Sequence, residues 1–525
     1  MPIPVIDIFA GPGGLGEGFS SILNNEGQRV FKIALSVEKD FFAHQTLTLR
    51  SFFRQFEPGN VPDDYYSYLQ GKITLENLYE RWPLQSGYAK KEAFMAKLGD
   101  ETDKDSIPDD EIDEKITEAL EGENNWLLIG GPPCQAYSIV GRSRRQEIVL
   151  DEKKDERVGL YKQYLRILAV HNPAIFVMEN VKGILSAKTK KRFVFKKILQ
   201  DLSNPVRAYH EDFKIDGNIL PCPGYKIYSL FVKERRRDKN NYPFFKQKDF
   251  IVETEKFGVP QARHRLILLG IRRNIDIIPE ILETMEQIPI SAVLSGLPGI
   301  RSGLSKTKDS KEKWYHIING ITSNEAINHF DSDIKKEILK QIKHLIKPKQ
   351  DKGSEYIPYD DVGCNYQQDW FLDNNIKGVC NHMSRSHMET DLLRYFFVSC
   401  FAKVRNVSPK LQDFPIFLLP HHKNVNEGIN NKKFADRFRV QLWNEPSKTI
   451  TSHISKDGHY YIHPDPSQCR SFTVREAARI QTFPDNYYFC GPRTEQFHQV
   501  GNAVPPLLAK RIAIVVKEIF QILDE

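Results

Sequence analysis

Four stretches of the chain carry residue types whose spacing could do chemistry. In Gly130-Gly131-Pro132-Pro133-Cys134-Gln135-Ala136-Tyr137-Ser138, two glycines and two prolines stop the apolar run Trp126-Leu127-Leu128-Ile129 and hold a cysteine just beyond it. A lone cysteine is most often a small buried hydrophobe. Here a rigid turn presents it at the carboxyl end of a strand, where open α/β sheets bind ligands and do chemistry, and a thiolate is the strongest side-chain nucleophile near neutral pH. A second apolar run, Ala174-Ile175-Phe176-Val177-Met178, delivers Glu179-Asn180-Val181. A carboxylate there costs free energy unless it is paired or working. Near the amino terminus, Ala10-Gly11-Pro12-Gly13-Gly14-Leu15-Gly16 is a glycine loop opening a helix, and the next strand ends in Glu38, a carboxylate suited to ribose hydroxyls. Read literally, Gly11, Gly13 and Gly16 fit a dinucleotide fingerprint; alone, that says only that backbone approaches a ligand closely. Finally, Gln261-Ala262-Arg263-His264-Arg265 places two arginines on one side of an extended segment, with His264 as the spacer between them.

The elements that must position these groups are legible as period and punctuation. Pro4–Phe9, Ile33–Glu38, Trp126–Ile129, Ala174–Met178 and Leu266–Gly270 read as buried strands. Leu160–Leu168 has helical apolar spacing and is stopped by Asn172-Pro173. The alternation predicts an α/β sheet over residues 1–270, with residues 50–125 an insertion of mixed helix and loop that holds Tyr65-Tyr66, Tyr68 and Trp82. Alternation is lost over 271–470, which hold ten of the fifteen histidines, and resumes in a return segment, 471–525. There Thr473, with Glu476 three residues on, reads as a capping box.

Taken together, Asp7-Ile8-Phe9-Ala10-Gly11-Pro12-Gly13-Gly14, Pro132-Pro133-Cys134-Gln135, Glu179-Asn180-Val181, Gln261-Ala262-Arg263-His264-Arg265 and Gln499-Val500-Gly501-Asn502-Ala503-Val504 resemble, in order, the motifs of the DNA cytosine carbon-5 methyltransferases of bacterial restriction–modification type. The resemblance implies an S-adenosylmethionine-dependent, Rossmann-like catalytic lobe (1–270, completed by 471–525) with a smaller, irregular target-recognition lobe (271–470). It implies Cys134 as the nucleophile, Glu179 as the acid, and Gln135, Arg263 and Arg265 as further catalytic residues, Arg263 supporting the carboxylate and Arg265 holding the base or a phosphate. S-adenosylmethionine is then held by Phe9, Gly11, Gly13, Gly14, Glu38, Pro133, Asn502 and Val504. An aspartate (Asp109, Asp110 or Asp113) would meet the adenine amino group, and Thr449 or Thr451 the extruded nucleotide's backbone. Arg142, Arg144 and Arg145 would lie in a loop closing on DNA. Asn381–Arg385 and the basic segment around Lys432, Lys433, Arg437 and Arg439 fall in the recognising region.

Composition is compatible with this and narrows the class. The net charge of +6 permits nucleic-acid binding without demanding it. Residues 401–440 carry eight Lys/Arg against three Asp/Glu, whereas 100–123 carry twelve acids against two lysines, a solvated face. Seven cysteines without a C-x-x-C pair argue against a disulfide framework and a zinc ribbon, and no metal is expected. No signal peptide or membrane span is read, so the expected protein is cytoplasmic, and it is expected to be a monomer. It would act on double-stranded DNA beside a cognate restriction endonuclease, without a stable complex. Two alternatives have their own sequence signatures. A tRNA cytosine-5 methyltransferase of the same fold would carry Cys-Phe-Thr where this chain has Cys400-Phe401-Ala402. A catalytically silent DNA-binding relative would not need Cys134, Glu179 and Arg265 intact.

Overall fold

The computed structural model describes residues 1–99, 104–132, 156–186, 188–189, 192–213, 222–239, 241–343, 345, 351–420, 425 and 436–524. They form two compact units, one of residues 1–61, 79–286 and 503–525, the other of 62–78 and 287–502.

The first unit is built on an eight-stranded sheet. Its strands are β1 (Ile3–Ile8), β2 (Phe31–Glu38), β3 (Ala93–Met95), β4 (Leu127–Gly130), β5 (Ile175–Val181), β6 (Tyr225–Tyr228), β7 (Ile251–Glu253) and β8 (His264–Arg272). The order is β3-β2-β1-β4-β5-β8-β6, with β7 also on β8. β3 through β5 are parallel, and β8 runs antiparallel to each of its neighbours. The apolar runs are near-continuous because both faces are covered. Ile6, Ile8, Leu128, Phe176, Met178 and Leu268 join one core cluster, while their neighbours Val5, Leu127, Ile129, Ile175, Val177 and Leu269 join the other, as side chains alternating across a sheet must.

Helices α1 (Gly14–Ser20), α2 (Phe41–Arg54), α3 (Asp109–Leu120), α4 (Glu156–His171) and α5 (Pro506–Asp524) cover it. Asp40 caps α2, accepting from the Ala43 N–H at 2.9 Å. α3 and α4 are tied by Arg166, 1% exposed, which donates to both Asp113 carboxylate oxygens at 2.9 and 2.7 Å, while His171 reaches Asp113 Oδ1 at 2.7 Å. Together the arginine and the histidine hold the Asp113 carboxyl below its usual range against the burial that would raise it.

Among its described residues the second unit has little sheet. One antiparallel pair, Gly353–Pro358 with Gly378–Met383, lies among short helices, and the longest helix, Glu389–Arg405, buries Leu392, Tyr395, Phe396 and Val398 in an aromatic-rich core with Trp314, Phe414 and Phe438. Thr473 and Glu476 make the expected capping box at the start of Val474–Ile480.

Candidate active site

The glycine loop is bent back by backbone conformations that few residues adopt. Gly11 (φ 58°) and Gly13 (φ 91°) are left-handed, and so is Phe9 (φ 57°), which for a bulky side chain marks strain of the kind that collects at functional sites. Glu38 at the end of β2 anchors the turn: its Oε2 accepts from the Gly11 N–H and its Oε1 from the Asp40 N–H, each at 2.8 Å. Burial raises the Glu38 carboxyl above its ordinary value, and these amides oppose the rise. A Cβ added at Gly11 would meet nothing within 4 Å, so open space adjoins a carboxylate with acceptor capacity left. That shape and charge fit an adenosine offering ribose hydroxyls.

Behind the loop, α1 lies against the returning chain. A Cβ at Gly14 would come within 2.2 Å of the Val504 carbonyl oxygen, and one at Gly18 within 2.4 Å of Ala509 Cβ. Glycines at these two positions, one turn apart, let helix and chain touch backbone to backbone. Glu17, 5% exposed, is held by Arg50 of α2 through hydrogen bonds of 2.8 and 2.5 Å. Asp7 of β1 is 1% exposed, and neither carboxylate oxygen has a well-formed hydrogen bond. Burial pushes its carboxyl up to about 8, Arg54 opposing, Glu38 adding to the rise, and the Gly16 amide giving slight relief.

The parallel register of β1, β4 and β5 brings the remaining motifs to one edge. Ile8 lies opposite Gly130, and Gly130 opposite Met178, so Phe9, Gly131 and Glu179 follow side by side. Gly130 is forced by crowding, since a Cβ there would sit 2.4 Å from the Ile8 carbonyl oxygen, whereas one at Gly131 would sit a tight 3.1 Å from Glu179 Oε2. Asn180, 3% exposed, donates from Nδ2 to the Pro132 carbonyl at 3.2 Å and accepts the Val181 N–H at 2.8 Å. It thereby fixes the turn two residues before Cys134.

Glu179 is ion-paired with Arg265, Nε to Oε1 at 3.0 Å. Support of this carboxylate was expected from Arg263, and the register explains the difference. Ile267 is directly opposite Glu179 and Arg265 opposite Val181, so Arg265 is the diagonal same-face neighbour that a long side chain can span. Arg263 stands two residues farther along and is buried at 2% exposure. His264, expected as an exposed spacer, pairs instead with Glu255 at 2.9 Å.

Other expectations fall differently. Pro133, Cys134, Gln135, the loop with Arg142, Arg144 and Arg145, and Lys432 and Lys433 lie outside the described residues. Val504 stands against Gly14, whereas Asn502 is the exposed last residue of the helix Arg493–Asn502 in the second unit. Asp109 and Asp113 are taken up by Arg166, Gln163 and His171. Thr451 bonds the Tyr461 hydroxyl at 3.1 Å. Asn381, His382 and Arg385 are buried and bonded internally: Asn381 by Glu355 and the Phe489 carbonyl, His382 by Thr473 and the Pro298 carbonyl, and Arg385 by the carbonyls of Ile454 and Lys456, with its Nε left without a hydrogen bond. They help to build that unit's frame.

Asn180 and Asp7 sit inside the motifs of the sequence, yet nothing local marks either as a site residue. All six cysteines among the described residues are buried, and burial raises the thiols of Cys222, Cys364, Cys380, Cys400 and Cys469, Cys380 to about 12. A raised, buried thiol makes a poor nucleophile.

The family model for C-5 cytosine-specific DNA methylases matches residues 89–215 and 245–518. Over 530 residues the chain is 33% identical to the Type II methyltransferase M.Bpa9945I of Bacillus paralicheniformis, covering 98% of each chain. It is 43% identical over 423 residues to the Type II methyltransferase M.AgeI of Thalassovita gelatinovora (74% of this chain, 82% of the relative) and 28% identical over 450 residues to the DNA (cytosine-5-)-methyltransferase M.ApeKI of Aeropyrum pernix (76% and 82%). The matched residues take in the β4–β5 edge, the arginine-bearing strand and the segment returning to the glycine loop, and a likeness of that extent means that this chain belongs to the C-5 cytosine-specific DNA methylases.

Proposed function

We propose that the chain methylates carbon 5 of a cytosine flipped out of double-stranded DNA at a specific sequence, as the modification enzyme of a restriction system, with Cys134 and Glu179 at the reacting base. The observation carrying this reading is the placement of the Glu179 carboxylate beside Gly131, three residues before Cys134. Cys134 adds as thiolate to ring carbon 6, and Glu179 shares or gives a proton at ring nitrogen 3, so the electron pair gathers at carbon 5. Arg265 holds the carboxylate in place through its 3.0 Å contact. Asn180 keeps the Pro132 turn in register with it, and Gln135 and Arg263 are the further catalytic residues of this reading.

S-adenosylmethionine, when bound, supplies an electrophilic methyl group on sulfonium. Phe9, Gly11, Gly13, Gly14, Glu38, Pro133, Asn502 and Val504 are the residues assigned to hold it, Glu38 gripping the ribose. After methyl transfer the carbon-5 proton leaves to a base, and Cys134 departs as thiolate. No helix among the described residues is long and apolar enough to cross a membrane. We take the enzyme to be a cytoplasmic monomer that forms no stable complex with its cognate endonuclease, and the second unit to carry target recognition.

The test is trapping. Duplex DNA containing 5-fluorocytosine cannot release fluorine as a cation, so it should accumulate as an adduct on Cys134 in the presence of the methyl donor. An adduct on another residue would refute the assignment.

A further inference from the structure

The chain leaves the first unit after Val61 and rejoins it at Tyr79, and the residues between belong to the second unit. Their helix, Asp63–Leu69, starts after Pro62 and buries Tyr65, Tyr66 and Leu69. Tyr65 is 0% exposed and its hydroxyl donates to the Asn486 carbonyl at 2.9 Å. The Tyr66 hydroxyl donates to Asp373 Oδ2 at 2.8 Å, and the same oxygen accepts from Asn486 Nδ2 at 2.8 Å. Gln70 Nε2 donates to the Ile376 carbonyl at 3.0 Å, and the Tyr68 ring meets Tyr488 edge-on at 5.8 Å.

The segment therefore grips two stretches at once: 373–376, which lead into the strand Gly378–Met383, and the turn at 486–488. Covering an apolar surface would need only apolar side chains. Hydroxyls that each meet one particular oxygen fix register as well, since a misplaced buried hydroxyl leaves a polar group unsatisfied.

We propose that Pro62–Leu78 is a positioning strap of the recognition unit, required for reading the DNA target and dispensable for binding the methyl donor. This rests on the reading of the second unit as the target-recognising part. The experiment exchanges 287–502 with the matching segment of a relative of different target, with and without 62–78.

The proposal expects the combined exchange to methylate the new target at the parental KM for DNA, and the exchange of 287–502 alone to methylate it with KM raised about fivefold or more, the worth of one lost hydrogen bond of about 1 kcal/mol. Parental KM without the strap overturns the proposal and leaves the recognition reading intact; an active chimera keeping the original target overturns that reading instead. Should neither chimera fold, Tyr65→Phe/Tyr66→Phe in the natural chain decides. A KM for DNA that rises more than kcat falls, with donor affinity unchanged, supports the strap, and an unchanged KM refutes it.

Discussion

Gly18→Ala tests how the cofactor loop is seated, because two known effects predict opposite signs. Gly18 lies within α1 and has no left-handed φ, so the better helix propensity of alanine would alone stabilise the protein by about 1 kcal/mol. Against this, the new Cβ would sit 2.4 Å from Ala509 Cβ and 2.5 Å from both the Lys510 nitrogen and the Pro506 oxygen, where non-bonded carbon contacts are relaxed at about 3.5–4.0 Å. Two of those atoms are backbone of α5 or the residue that opens it, so no side chain can swing aside and one helix must back away by about 1 Å. Overpacking of this kind costs roughly 1–3 kcal/mol, and rigid backbone contacts put it towards the upper end. Steric cost wins, leaving the variant about 1–2 kcal/mol less stable.

Gly87 supplies the control. It is exposed in the helix Pro83–Glu92 of the same unit, and a Cβ there meets nothing within 4 Å. Gly87→Ala should therefore gain about 1 kcal/mol from propensity alone. Urea unfolding should move the two midpoints in opposite directions, and calorimetry should find donor affinity weakened in Gly18→Ala only. A Gly18→Ala protein as stable as Gly87→Ala would refute the packing of α1 on α5.

Glu179→Gln keeps shape but cannot give up a proton. Single-turnover methylation should slow by about a hundredfold or more with specific-site affinity changed less than tenfold, and equal losses in both would make Glu179 a binding residue. Glu38→Ala removes a charge-assisted contact worth roughly 1.5–3 kcal/mol, so donor affinity should fall about tenfold to a hundredfold by calorimetry, and unchanged affinity would refute the ribose role. Asp7, raised to about 8 by burial against 3.8 for an ordinary carboxyl, is protonated more in the folded than in the unfolded state between those values. Its stabilising effect is thus complete below about pH 4 and lost as pH rises through about 8. Asp7→Asn should gain stability relative to wild type as pH rises from about 4 to about 8 and level off above that, and a pH-independent difference across this range would show that Asp7 is ionised in the folded protein.

The catalytic edge was legible because its signals are local. Glycine and proline punctuate the apolar runs, so β1 and β4 end within one residue of expectation, and β2 ends at Glu38 as read. What depends on a distant partner was not. β8 extends past Leu266–Gly270 at both ends because β7 and β6 pair with those ends, and the preference of Glu179 for Arg265 over Arg263 is a matter of antiparallel register. The crowding that forces glycine at 130 is invisible in a chain that merely contains glycines.

The second unit is harder to read for a reason its side chains supply. Arg470, Arg475 and Arg479 look like surface residues in sequence, yet each is at most 1% exposed. Arg475 donates to the carbonyls of Cys380, Pro484 and Tyr487. Arg479 pairs with Asp485 and also donates to the carbonyls of Val293 and Gly363. Arg470 pairs with Glu476 and donates to the Ile300 carbonyl. Buried carbonyls must find donors, and in a unit with one substantial strand pair the backbone ladder cannot supply them all. Guanidinium groups do so here, each joining turns far apart in sequence while a carboxylate or a row of carbonyls compensates its charge. Removing one would leave several carbonyls and an acid unsatisfied together, so irregular backbone can be held as firmly as a sheet. No periodicity announces such a frame, and Asn381–Arg385, which the resemblance puts in the recognising region, folds as part of the support.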